Sequence, residues 1–307
     1  MKIAMIGAGG VGGYFGARLQ AAGSAVSFVA RGSHLAALQH NGLRLQSPKG
    51  DLHLPSVQAT DDPAQIGPVD VVFLTVKMYD LEAAAIAAAS LIGAETAVIT
   101  LQNGVEAVDI VAAHVGREQV VGGVAYVAAV IAEPGLIRHT SLDALIFGEL
   151  DGRRSERLAA LEAACLGAGF GARVSDQIEL DLWSKFARLS VFSGMTAVTR
   201  SPIGVLRGDP ELFAMLQAAC EETIAVGRAR GVPLPPGLME EILQMVHSLP
   251  YQAKASMLED LERRRRLELP WLSGAVVRLG REVGVATPIH QFIAAVLKPL
   301  AAPASPS

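Results

Sequence analysis

Lys2-Ile3-Ala4-Met5-Ile6-Gly7-Ala8-Gly9-Gly10-Val11-Gly12-Gly13-Tyr14-Phe15 opens the chain, and its reading decides the fold. After Lys2, four apolar residues have the length and character of a buried strand. Val11, Phe15 and Leu19 then recur at four-residue spacing and share one face of a helix. Gly-x-Gly-x-x-Gly lies between them. Strand, glycine turn and helix in this order form the phosphate-binding turn of a dinucleotide fold. Gly7 allows the tight turn, Gly9 lets a pyrophosphate approach the backbone, and Gly12 lets the helix pack close to the strand. The free N–H groups and the dipole of the helix N-terminus favour phosphate. Gly7, Ala8, Gly9, Gly10, Val11 and Gly12 are therefore candidate cofactor-binding residues.

Working outward, Ala25-Val26-Ser27-Phe28-Val29 reads as a second strand. An NAD-selective fold places an acidic residue at its end to hold the ribose 2′-hydroxyl. Here the residues are Ala30-Arg31-Gly32-Ser33, without a carboxylate, and Arg31 can pair with a 2′-phosphate. This predicts NADP(H) as cofactor. Ser33 is expected to cap a helix running to about His40, with a turn at Asn41-Gly42. Residues 43–46 and 52–54 form either a small hairpin or a loop. Residues 69–76 and 97–101 are β-branched, apolar runs suited to central strands. Lys77 and Asn103 follow them, at the strand ends where ligands bind in open α/β sheets. Residues 119–132 are strand-like, and Gly122-Gly123 suggests close approach of another group. Beyond Pro134-Gly135, residues 136–139 and 144–147 read as strands paired with each other, and His139 as structural. A helix over 154–166 and a last strand over 169–174 complete a nucleotide domain of residues 1–176.

From residue 177 to 307 the period is helical, with helices over 178–198, 210–230, 237–246, 253–265, 270–283 and 289–297. Lys185 follows Trp183 in an otherwise apolar helix, so it either reaches solvent or faces a ligand. Ser256 and Glu268 flank an arginine-rich helix. Pro270 suits a first helical turn, which puts Glu268 where an ionised carboxylate is favoured. The run Arg263, Arg264, Arg265 and Arg266 sits among Glu259, Asp260, Glu262 and Glu268 and reads as a solvated helix with internal ion pairs.

A net charge of −4 gives no sign of general affinity for nucleic acid or an anionic membrane. Cys165 and Cys220 have no metal-ligand spacing, so no metal is expected, and they fit a reducing cytoplasm as small core residues. The apolar runs are too short to span a bilayer. Lys2 before an apolar stretch mimics a signal peptide, but the glycines and Arg18 break that stretch too early. The Ala/Pro/Ser tail over 301–307 is expected to fray.

IGAGGVGGYFG over 6–16, VARGSHL over 29–35, TVK ending at Lys77, LQNG around Asn103, LWSK ending at Lys185, and SMLEDLERRR from Ser256 running on to Leu267-Glu268 occur in this order. Together they resemble the ketopantoate reductase (2-dehydropantoate 2-reductase) family over nearly the whole chain. The resemblance implies a Rossmann-type α/β dinucleotide-binding domain followed by an all-α C-terminal domain. It implies NADPH-dependent reduction of a 2-oxo acid, 2-dehydropantoate to pantoate in pantothenate biosynthesis. In that reading Lys185 is the proton donor to the carbonyl oxygen, and Glu268 lies beside it and the cofactor ribose. Ser256 binds the substrate carboxylate, Asn103 sits near nicotinamide and substrate, Lys77 belongs to the cofactor region, and Ala128 touches the cofactor through its backbone.

The chain departs from the family where asparagines usually stand four and eight residues after the lysine. Those positions are Leu189 and Ser193, which share a helical stripe with Lys185 and so join the substrate-binding candidates. Pro270 and Ser273 replace a family Asp and Asn after Glu268. A more apolar pocket would favour another branched or aromatic 2-oxo acid. A non-catalytic NADP-binding sensor is a third reading. The partner expected is a small 2-oxo acid, and the oligomeric state stays open, a homodimer included.

Overall fold

The apolar runs of the first half assemble into one sheet, with the central strands buried. The computed structural model describes residues 1–302. They divide into two compact units, Met1–Gln102 with Glu106–Asp181, and Asn103–Val105 with Leu182 onward.

The first unit runs β1 (Lys2–Ile6), α1 (Gly10–Ala21), β2 (Ala25–Val29), α2 (Gly32–Asn41), β3 (Leu43–Gln46), β4 (Leu52–Leu54), β5 (Gln58–Thr60), β6 (Val69–Leu74), α3 (Leu81–Ala88), β7 (Ile92–Thr100), α4 (Ala107–Val115), β8 (Val120–Glu133), β9 (Leu136–Glu149), α5 (Glu156–Gly167) and β10 (Gly171–Val174). Among the described residues one mixed sheet takes the order β4-β3-β9-β8-β7-β6-β1-β2-β5, with β10 beside β9. The strands from β8 to β5 in that order are parallel to their neighbours. In β1, Ile3, Ala4 and Met5 are fully buried, as a parallel strand covered on both faces requires. Tyr14, Phe15, Ala17 and Leu19 of α1 pack in the same core.

Two local expectations change. Residues 136–139 and 144–147 do not pair with each other: they are one strand, β9, paired antiparallel with β8 from Val121↔Glu149 to Glu133↔Leu136. The polar stretch between them is a bulged part of the ladder, with Leu142 at φ 59°, rather than a turn. Ser33 does not cap α2, because the helix starts at Gly32 and Arg31 occupies the cap without a side-chain bond. Residues 43–46 and 52–54 do form an antiparallel pair. His139 is structural: its ring bonds Ser47 Oγ at 2.8 Å and the Leu142 carbonyl at 2.7 Å. At the end of β9, Glu149 accepts from Arg157 at 2.6 and 2.8 Å and from Ser155 at 2.6 Å. Burial alone would raise the Glu149 carboxyl; these bonds outweigh it and hold it below its ordinary value.

The helices of the second half are α6 (Ile178–Thr199), α7 (Ile203–Gly208), α8 (Pro210–Ala229), α9 (Leu238–Ser248), α10 (Ser256–Glu262), α11 (Ser273–Glu282) and α12 (Pro288–Leu297). The helix expected over 253–265 is shorter, and Arg264 at φ 53° lies past its end. The arginine run therefore occupies a turn, where Arg263 pairs with Glu259 at 3.4 Å and Arg265 with Asp260 at 3.9 Å. The helix expected over 270–283 is split. A 3₁₀ turn at Leu269–Trp271 precedes Leu272, whose ψ of −104° breaks the run before α11. Thr287 gives α12 no side-chain cap; Glu222 of α8 accepts from the Ile289 and His290 N–H groups instead, at 2.7 and 3.0 Å. Cys165 and Cys220 are free and buried, and burial pushes both thiols up to about 12, which suits inert core residues. The Ala301 carbonyl accepts from the Leu267 N–H at 2.9 Å, so the start of the tail is tied down. Residues 303–307 of the tail expected to fray lie outside the described residues.

Candidate active site

The glycine turn follows β1 directly. Gly7 sits at φ 103°, a conformation costly for residues with a Cβ. Its carbonyl accepts from Thr75 Oγ1 at 2.6 Å, which fastens the turn to the end of β6. A Cβ at Gly12 would collide with the Gly7 carbonyl, while one at Gly9 would meet nothing within 4 Å. The backbone at Gly9 is thus open to an approaching group just where α1 presents its unbonded N–H groups, since Gly9 caps the helix with no side chain. Gly10 is constrained differently: its missing side chain leaves room for the Ala129 carbonyl of β8. Ala8 is held by His34, whose Nε2–H donates to the Ala8 carbonyl at 2.8 Å. The Gly135 N–H donates to Nδ1 of the same ring at 3.1 Å, which fixes the Nε2–H tautomer. Burial lowers the His34 pKa, with the Ala8 bond opposing.

A pocket of about 250 Å³ opens beside this turn. Gly7, Ala8, Gly9, Arg31, His34 and Asp61 are among the residues that line it. An open backbone, a helix N-terminus and a basic side chain in one pocket fit a dinucleotide. Arg31 is exposed, as a residue meant for a ligand phosphate can be. Lys77 is half-buried and caps the 3₁₀ turn Met78–Asp80 through its carbonyl. Ala128 lies in a bulged part of the β8–β9 ladder and its carbonyl accepts from Thr140 Oγ1 at 3.2 Å; the neighbouring Ala129 is the residue against the glycine turn. Sequence reasoning missed His34, Thr75 and Asp61, because their proximity to the turn depends on which strands are neighbours.

In the second unit, α6 carries Lys185. Burial lowers its ammonium to about 8; the Glu268 carboxylate opposes the fall and Arg188 adds to it. Glu268 is itself only 4% exposed. The structure therefore brings Lys185 and Glu268 into electrostatic contact from positions 83 residues apart, 268 − 185. Asn103 belongs to this unit too. Its neighbour Gly104, at φ 113°, has room for no side chain because the Trp271 carbonyl is 3.0 Å from where a Cβ would be. The Asn103 loop thus packs on the segment just after Glu268. Leu189 is half-buried on α6, while Ser193 is fully buried and its hydroxyl has no partner among the described residues. Ser273, equally buried and unpartnered, lies beside Gly194. Ser256 is exposed at the start of α10 and makes no side-chain cap.

A cationic acid of lowered pKa can protonate an oxygen that gains charge, and a glycine turn of this kind holds a dinucleotide. Fold and site define a dinucleotide-dependent oxidoreductase. Sequence models described as "Ketopantoate reductase PanE/ApbA" and its C-terminal counterpart match residues 3–152 and 177–301. A 2-dehydropantoate 2-reductase of Mesorhizobium japonicum is 36% identical, covering 98% of this chain and 98% of that protein. The solved PanE/ApbA family ketopantoate reductase of Ralstonia eutropha superposes with a TM-score of 0.91 at 32% identity, covering 98% of each chain. The chain belongs to the ketopantoate reductase family. A D-mandelate dehydrogenase solved with NADH and anilino(oxo)acetate shares the fold at TM-score 0.88 and 23% identity, over 98% of each chain.

Proposed function

We propose that this chain reduces 2-dehydropantoate to pantoate with NADPH, as a step of pantothenate biosynthesis. The observation that carries the reading is the half-buried Lys185, its ammonium lowered to about 8, held beside the buried Glu268 carboxylate. A bound nicotinamide supplies the hydride that adds to C2 of the oxo acid. The carbonyl oxygen gains negative charge as that bond forms. Lys185 stabilises this charge and gives the oxygen a proton. Glu268 keeps the lysine charged before the reaction and favours its reprotonation from solvent afterwards. Asn103 and Ser256 orient the substrate, Ser256 through its carboxylate. In the other unit, the backbone from Gly7 to Gly12 holds the pyrophosphate, with Lys77 and Ala128 nearby. Arg31 takes the 2′-phosphate, which supports NADPH over NADH. We place the two functions in an N-terminal domain of residues 1–176 and a C-terminal domain of residues 177–307. The protein works in the cytoplasm, as a monomer or homodimer. Among the described residues no helix is long and apolar enough to cross a membrane.

Leu189 favours a second reading, a reductase of another branched or aromatic 2-oxo acid, since it places a half-buried apolar side chain one turn from Lys185. NADPH oxidation by pure protein, measured with 2-dehydropantoate and a panel of branched and aromatic 2-oxo acids, separates the two. The first reading expects 2-dehydropantoate to give by far the highest kcat/KM. A higher value for an aromatic acid supports the second, and turnover of none leaves a dinucleotide-binding sensor.

A further inference from the structure

The carboxyl ends of β2 and β5 lie side by side in parallel register, with Val29 opposite Thr60 and the Ala30 N–H donating to the Thr60 carbonyl at 3.0 Å. Asp61 follows Thr60 directly, and Arg31 follows Ala30 just past the end of the neighbouring strand. Both are exposed and both line the pocket that holds Gly7 and Gly9. Neither forms an ion pair or side-chain hydrogen bond among the described residues, with each other or with anything else. The adjacent Asp62 differs: its Oδ1 accepts from the Ala64 N–H at 3.0 Å and caps the turn at Pro63–Gln65. Thr60 Oγ1 accepts from the Asp62 N–H at 3.0 Å and tightens the same turn. Of two neighbouring acids, one is committed to the backbone and the other is left facing the pocket.

The dinucleotide fold puts the adenosine ribose at the end of its second strand and normally reads the 2′-position with an acid there. This chain has Arg31 at that place, and an acid arrives from the neighbouring strand instead. We infer that Asp61 is a determinant of cofactor choice, accepting a hydrogen bond from the ribose 2′-hydroxyl of NADH and repelling the 2′-phosphate that Arg31 attracts. The inference rests on the reading that the glycine turn holds a nicotinamide dinucleotide. Selectivity is then a balance between two side chains of opposite charge, and each can be removed separately.

The test is binding rather than turnover: titration of pure wild type, Asp61→Asn and Arg31→Ala with NADPH, with NADH, and with 2′,5′-ADP, which carries the 2′-phosphate without nicotinamide. Asp61→Asn should tighten NADPH and 2′,5′-ADP and weaken NADH, moving the ratio of their Kd values about tenfold toward NADPH. Arg31→Ala should move the ratio the opposite way. Equal changes for both dinucleotides in Asp61→Asn, or none, overturn the role of Asp61. A wild type that binds neither dinucleotide overturns the cofactor reading itself, an outcome distinct from a variant that binds both unaltered.

Discussion

The glycine turn of the first unit is made of backbone, whereas the Lys185–Glu268 pair of the second is made of side chains. Six consecutive residues build the turn, and what matters in them is what they lack: a Cβ at Gly9 would fill the approach, and one at Gly12 would strike the Gly7 carbonyl. The pair joins two distant parts of the chain, and what matters is burial, which sets the charge of an amine. A backbone site fails when something is added to it; a side-chain site fails when something is removed.

The largest effect is expected on the side-chain side. Lys185→Ala should lower kcat for reduction about 10²- to 10⁴-fold while NADPH binding stays nearly constant, read by steady-state kinetics and dinucleotide titration. A loss confined to KM would sink the proton-donor role. On the backbone side, Gly12→Val should cost about 1–3 kcal/mol of stability and abolish tight dinucleotide binding, read by denaturant unfolding and titration. If this variant kept both, the turn would not be the phosphate site.

Smaller effects come through the protonation of Lys185. In the proposed reaction its protonated form is the donor, so kcat/KM for reduction should fall as pH rises through about 8, by about tenfold per unit beyond it. Oxidation of the 2-hydroxy acid needs the neutral amine and should rise over the same range. The stability sign follows from the same shift. The folded pKa is lowered from 10.5, so between about 8 and that value the unfolded chain binds more protons, and this group's contribution to stability rises with pH. Glu268→Gln removes the charge that opposes the fall, so the basic limb should move to lower pH by about one unit or less. An unmoved limb would dissociate the two residues. The smallest change is expected from Leu189→Asn, a shift of about tenfold or less in kcat/KM toward 2-dehydropantoate relative to an aromatic 2-oxo acid.

The same contrast explains what the sequence made legible. β1, α1 and β2 could be bounded nearly to the residue because strand, turn and helix are contiguous and each carries its own period. β9 could not, because a bulge near Leu142 looks in sequence like a turn. The short helix α7, preceded by Pro202 and carrying Gly204 and Gly208, gave no helical period strong enough to expect. Asp61 was hidden because β5 is three residues long and nothing local says that it lies beside β2. Glu268 could be singled out from Pro270 as a carboxylate before a helix start, and resemblance paired it with Lys185; its burial and its effect on Lys185 are tertiary facts. Resemblance likewise singled out Ser193, but not that its hydroxyl is enclosed without a partner.

The imidazole of His34 has one further consequence. Its tautomer is fixed by the Gly135 N–H on one side and the Ala8 carbonyl on the other, and its lowered pKa keeps it neutral at neutral pH. It also borders the pocket beside the glycine turn. The two ring nitrogens are therefore chemically distinct, and one of them is bonded to the turn itself. The protein carries its own spectroscopic reporter for occupancy of that pocket, readable by nuclear magnetic resonance of isotopically enriched protein without a substrate.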